Sequence, residues 1–137
     1  MVLIKTEVKF EAAHRQFGDP SKCGYLHGHN WVVEFVVRGE VTSELGYLIN
    51  YSDFKAIVDR YDHKVLLVNY DPLIDVLLTH HQRVVALSLN PTCENLAKLI
   101  LQDILATHND VDLEYISITV WENDVSMAVE QWSHENQ

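Results

Sequence analysis

The chain reads as an α+β fold in which an antiparallel four-stranded sheet carries two helices on one face. Two observations predict this. Runs rich in Val, Ile, Phe and Tyr alternate with polar residues near both ends of the chain, and two stripes of helical period lie between them. The element order is therefore strand-strand, helix-helix, strand-strand. No linker, low-complexity run or repeat interrupts residues 1–137, so one domain spanning 1–137 is expected.

Alternation from Val2 to Ala13 predicts the first strand. Arg15 to Tyr25 carries Gly18, Asp19-Pro20 and Gly24, a loop longer than a hairpin turn needs and a natural place for function. Asn30 to Glu40 predicts the second strand, paired antiparallel with the first, and 41–46 a turn. Ser52 is placed to N-cap a helix running to about Tyr61, with Phe54, Ile57, Val58 and Tyr61 on one stripe. His63 to Asn90 is the least patterned stretch. Asp71-Pro72 opens a turn, Pro72–Thr79 has the length of a short helix and Val84–Leu89 that of a short strand; neither enters the four-strand, two-helix count. Thr92 follows Asn90-Pro91 as an N-cap, and Leu96, Leu99, Ile100, Ile104 and Leu105 form the second helical stripe. Tyr115–Trp121 and Ser126–Trp132 read as the last strands, joined by Asn123-Asp124, and the polar last five residues are expected to fray. A four-stranded sheet leaves two open edges, which oligomerisation into a barrel shared between subunits would close.

Twenty acids against ten bases give a net charge of −10. That balance argues against nonspecific nucleic-acid or anionic-membrane binding, which wants a basic face, but leaves room for a small anionic substrate held by a local cluster. No apolar run approaches the roughly 20 residues that span a bilayer. The first residues lead straight into a strand pattern without a signal-peptide n-region. Two cysteines, Cys23 and Cys93, are too few for a disulfide scaffold. The expected setting is a reducing cytoplasm.

The chemistry concentrates around His27-Gly28-His29, with Cys23 four residues earlier and His14 upstream. Imidazoles at i and i+2 of a strand project from the same side and can close on one metal ion. The glycine between them is expected to let neighbouring backbone approach. A third histidine on an adjacent strand would complete a three-nitrogen site with an open position, the pattern of a catalytic zinc. Cys23 is open to three readings: base or nucleophile, fourth ligand of a closed structural site, or small buried hydrophobe. Asp62-His63 follows the first helix, where a carboxylate could set the imidazole tautomer for proton transfer or both could face solvent. Glu122 ends a strand, as a solvated carboxylate or as an acceptor for a guanidine-like edge. Cys93 reads as packing, and His80, His81, His108 and His134 as surface.

FEAAHR (10–15), CGYLHGH (23–29), YDHK (61–64), NPTCENLA (90–97) and VWEN (120–123) together resemble the 6-pyruvoyl-tetrahydropterin synthase superfamily, in order and approximate spacing over essentially the whole chain. The C-x3-HGH spacing is similar to its 6-carboxy-tetrahydropterin synthase branch, of queuosine biosynthesis. The resemblance implies a T-fold whose oligomers, trimers or hexamers, place active sites at subunit interfaces. The implied reaction is that of a lyase on 7,8-dihydroneopterin triphosphate, releasing triphosphate and acetaldehyde. It implies His14, His27 and His29 as Zn2+ ligands, Cys23 as the proton-abstracting thiolate, Asp62 and His63 as a relay, and Glu122 as the active-site carboxylate that anchors the pterin. Thr92 and Glu94 would line the adjacent pocket wall. The 64–90 stretch is longer than in the shortest relatives, Tyr61 stands where leucine is common, and Asn50-Tyr51 where Asp-Phe is common. The rival readings are a pyruvoyl-type triphosphate lyase on the same substrate and a noncatalytic zinc or pterin-binding protein.

Overall fold

The structure, a computed structural model, describes residues 1–136. Its elements are β1 (Val2–His14), β2 (His27–Gly39), α1 (Tyr51–Asp59), β3 (Lys64–Val68), α2 (Leu73–Thr79), β4 (Val84–Leu87), α3 (Cys93–Thr107), β5 (Leu113–Trp121) and β6 (Met127–Ser133), with short 3-10 turns at Lys22–Gly24 and His134–Asn136. The α+β class is as expected, but the sheet has six strands in the order β4-β3-β1-β2-β5-β6, not four. Among the described residues there are three α-helices rather than two.

The correction lies in the stretch that carried no clear period. β3 joins the end of β1 in parallel and β4 joins β3 in parallel, so the sheet is mixed. Leu66, Leu67 and Val68 are all buried, and a strand covered on both faces reads as a continuous apolar run without alternation. α2 buries none of its residues, and the buried Asp71 accepts from the Leu73 amide at 2.8 Å to tie down its start.

Elsewhere boundaries move for local reasons. β2 begins at His27, not Asn30, so the HGH motif lies within the strand. α1 is capped by Asn50, whose side chain accepts from the Ser52 amide; Ser52 is already helical. Thr92 caps α3 as expected, accepting from the Asn95 amide at 3.1 Å. The tail expected to fray forms a 3-10 turn at His134–Asn136, and Gln137 lies outside the described residues.

The antiparallel register of β1 on β2 runs from Val2–Gly39 to His14–His27 and sets two opposite faces. Phe10, Ala12, Trp31, Val33, Phe35 and Val37 point to one side, where they pack with Ile116, Ile118 and Val120 of β5 against Phe54 and Val58 of α1 and Leu96, Ile100 and Ile104 of α3. Glu11, Lys9, Glu7, Asn30, Glu34 and Arg38 point to the other. No helix among the described residues is long and apolar enough to cross a membrane.

Candidate active site

His14 and His27 are direct cross-strand partners, and His29 lies opposite Ala12, two residues along the same face. That face is the one the helices cover. The three rings therefore converge at the end of the core: centroids are 4.6 Å apart for His14–His27, 5.1 Å for His14–His29 and 4.8 Å for His27–His29. One ring nitrogen from each lies within 4.8 Å of the others. Trp31, next along the face, packs edge-on to both His14 and His29 and closes the inner side.

Backbone carbonyls decide the tautomers. The Pro91 carbonyl, just before α3, lies 2.7 Å from His14 Nδ1, and the Tyr25 carbonyl 2.7 Å from His27 Nδ1. A carbonyl only accepts, so both Nδ1 atoms carry the hydrogen and both Nε2 atoms present lone pairs. Those Nε2 atoms face each other at 3.1 Å, a repulsive contact unless a cation or proton is shared. The buried His29 Nε2 has no hydrogen-bond partner among the described residues. Burial pushes the His14 pKa down to about 4 and also lowers that of His29, against the pull of the Glu122 carboxylate. Neutral imidazoles with converging lone pairs are what a divalent cation binds, so the residues present fit a metal. Cys23 is not in this cluster, which leaves a three-nitrogen donor set.

Cys23 sits half-buried in the 3-10 turn that Ser21 caps. Its carbonyl accepts from the Gln16 amide at 2.9 Å, pinning the loop across its mouth. Gly24 is required here, because a Cβ would stand 2.0 Å from the Asp19 carbonyl oxygen. Gly28 is not required for close backbone approach: a Cβ there would meet only the Ala12 oxygen, at 3.7 Å. Gly28 instead lines the cleft that His63 borders.

Asp62 and His63 do touch, with Asp62 Oδ1 2.9 Å from His63 Nδ1. The same carboxylate oxygen accepts from the Glu11 amide, the main cause holding its pKa below the ordinary value. His63 donates its amide to the Glu11 carbonyl at 2.7 Å and sits in the left-handed region at φ 56°. A non-glycine residue in that region marks a conformation imposed by its surroundings. Its Nε2 faces the Glu11 carboxylate at 3.7 Å, on the sheet face opposite the histidine cluster. There His63 borders a cleft of about 640 Å³ with Ala13, Gly28, Lys64, His81 and Arg83. No hydrogen bond or ion pair among the described residues joins Asp62 or His63 to Cys23 or to the three histidines.

Glu122, just past β5, is beside the buried Cys93 thiol and near His29. Burial, with Glu122 and Glu94 adding, pushes that thiol up to about 12, so Cys93 is inert packing as expected. Thr92 is occupied in capping α3, and Glu94 is exposed in its first turn. Sequence reasoning missed Arg15 and Asp71, which form a two-pronged ion pair, and the Pro91 and Tyr25 carbonyls behind the histidines. Backbone acceptors leave no sequence signal; Arg15 directly after His14 and Asp71 in a turn were the only cues for the pair.

The sequence profile of the family described as 6-pyruvoyl tetrahydropterin synthase matches residues 3–131. A protein from Rickettsia bellii named 6-carboxy-5,6,7,8-tetrahydropterin synthase is 32% identical over 111 residues, 76% of this chain and 80% of its own length. One from Halobacterium salinarum, named probable 6-carboxy-5,6,7,8-tetrahydropterin synthase, is 30% identical over 88% of this chain and 81% of its own length. The solved 6-pyruvoyl tetrahydropterin synthase of Plasmodium falciparum superposes with a TM-score of 0.67 at 22% identity, covering 96% of this chain and 98% of that one, and so shares the fold. With a match across nearly its whole length, the chain belongs to the 6-pyruvoyl tetrahydropterin synthase family.

Proposed function

We propose that this protein is a zinc-dependent carbon–carbon lyase. It converts 7,8-dihydroneopterin triphosphate to 6-carboxy-5,6,7,8-tetrahydropterin, with release of acetaldehyde and triphosphate, in queuosine or 7-deazaguanine synthesis. The observation that carries the reading is the three-imidazole cluster, with no fourth protein ligand among the described residues, in a chain whose relatives bear the carboxy-tetrahydropterin name. His14, His27 and His29 would hold the zinc, which when bound acts as a Lewis acid toward the substrate's side-chain oxygens.

The remaining groups take their roles from position. Cys23, on a loop pinned beside the cluster, removes a proton as thiolate. Asp62 holds the Nδ1–H of His63 and leaves Nε2 to exchange the second proton. Glu122, at the end of β5 and near His29, accepts from the amino-pyrimidine edge of the pterin, with Thr92 and Glu94 along the adjacent wall. His63 Nε2 faces Glu11 on the sheet face opposite the three converging rings, and no hydrogen bond or ion pair among the described residues joins it to them or to Cys23. A homo-oligomer, trimer or hexamer, with sites at its subunit interfaces would bring the His63 of one copy to the Cys23 of another.

Incubating zinc-loaded protein with 7,8-dihydroneopterin triphosphate, followed by mass identification of the pterin and of any two-carbon fragment, tests the reading. Acetaldehyde with the carboxy-pterin is the expected result. Triphosphate loss with the side-chain carbons retained means the pyruvoyl reaction instead, and unchanged substrate means a binding protein.

A further inference from the structure

Four consecutive residues leave β1 and its end, and each is tied to a different place. His14 donates Nδ1–H to the Pro91 carbonyl at 2.7 Å. The Arg15 guanidinium grips Asp71 with two bonds, Nε to Oδ2 at 2.7 Å and Nη2 to Oδ1. The Gln16 amide holds the Cys23 carbonyl at 2.9 Å. The Phe17 amide donates to Asn90 Oδ1 at 3.1 Å, and its ring stacks edgewise on Tyr70 at 5.9 Å. Three of the four anchors thus belong to residues 70–91, and the fourth is Cys23 itself.

Asp71 has the strongest claim among these anchors. Its side chain is 0% exposed, and besides Arg15 it accepts from the Leu73 amide at 2.8 Å, so its carboxylate also fixes the start of α2. A buried ion pair adds little net stability compared with an apolar pair of the same size, but it imposes one geometry on both partners. Arg15 lies between a histidine of the cluster and the residue that pins Cys23. Its position therefore bears on both the His14 ring and the Gln16 amide that holds the Cys23 carbonyl.

We infer that Asp71, acting through Arg15, is a positioning residue that holds the Cys23 loop in register with His14. The 70–91 segment is then the frame of the site rather than a surface insertion. The inference rests on the proposed roles of Cys23 and the histidines, and its test separates the two.

Replacing both partners by apolar residues, Arg15→Met with Asp71→Leu, removes the geometry without leaving a lone buried charge. The double variant is expected to melt close to the unmodified protein. Its Cys23 is expected to react with iodoacetamide several-fold faster, with the buried Cys93 as internal reference. Zinc affinity, from competition with a chromophoric chelator, is expected to fall about 10-fold, as for loss of a residue supporting a ligand. The kcat is expected to fall about 100-fold with KM little changed, as for misplaced reacting groups. A double variant that melts normally and keeps the original Cys23 reactivity and zinc affinity overturns the inference. Should that variant not fold, Asp71→Asn removes the charge that grips Arg15 while keeping the side chain's size and an oxygen for the Leu73 amide: a faster Cys23 reaction supports the inference and an unchanged one overturns it. If the unmodified protein turns over no pterin, the lyase reading falls while the alkylation and zinc measurements still judge the frame.

Discussion

β1 pairs with β2 along its whole length and with β3 only through Ala12, Ala13 and His14. The first pairing is antiparallel and joins neighbours in the chain; the second is parallel and joins residues about fifty apart. Both meet at His14. The antiparallel pair delivers three imidazoles to the covered face by alternation alone, while the parallel join delivers Asp62-His63 to the reverse face and Asp71 to Arg15. Ligands can thus be supplied by a period-two pattern. The placement of Asp62-His63 and of the Arg15–Asp71 pair depends on contacts that no local pattern encodes.

The sharpest way to break this contrast is Cys23→Ala. A lost general base is expected to cost about 10³-fold or more in turnover, with zinc content retained. If zinc content and melting temperature fall together instead, Cys23 is a ligand and the cluster is a closed structural site. His63→Ala probes the reverse face. It should lower turnover by about 100-fold while leaving metal content unchanged, since the nearest partners of His63 are Asp62 and Glu11. A loss of zinc in this variant would show that the two faces are not separate.

Acid titration of the metal-free protein sharpens the covered face. His14 titrates at about 4 in the fold, mainly through burial, against about 6.5 in the unfolded chain. The unfolded state therefore takes up its proton first. Stability is undiminished above pH 6.5, declines as the pH falls toward 4, and stops changing from this group below that. The decline is on the order of 3 kcal/mol, read by urea melts at several pH values. Zinc should suppress it by competing with the proton. A flat profile over that window in the metal-free protein removes the buried-histidine account. The smallest effect is at Thr92: Thr92→Ala should cost about 1 kcal/mol of stability through the lost α3 cap. A raised KM with unchanged melting would instead make Thr92 a pocket wall.

Legibility in the sequence follows the same division. The HGH alternation, the β1–β2 pairing, the α3 cap at Thr92 and the stripes of α1 and α3 were all readable, because each rests on residues within a few positions of one another. The six-strand count was not, since β3 and β4 are short, buried or parallel and show no alternation. Asp62-His63 is legible as a pair, but its face is set by Glu11, whose amide and carbonyl grip both residues from β1.

The sequence by itself determined the histidine triad and the strand pair that carries it, because alternation and cross-strand register follow from backbone geometry alone. Only the tertiary structure decided which imidazole nitrogens face inward, which face Asp62 and His63 occupy, and that Asp71 reaches Arg15. Each of these depends on a backbone carbonyl or a buried charge brought in from distant sequence, and the free energy of such contacts exists only once the chain has folded.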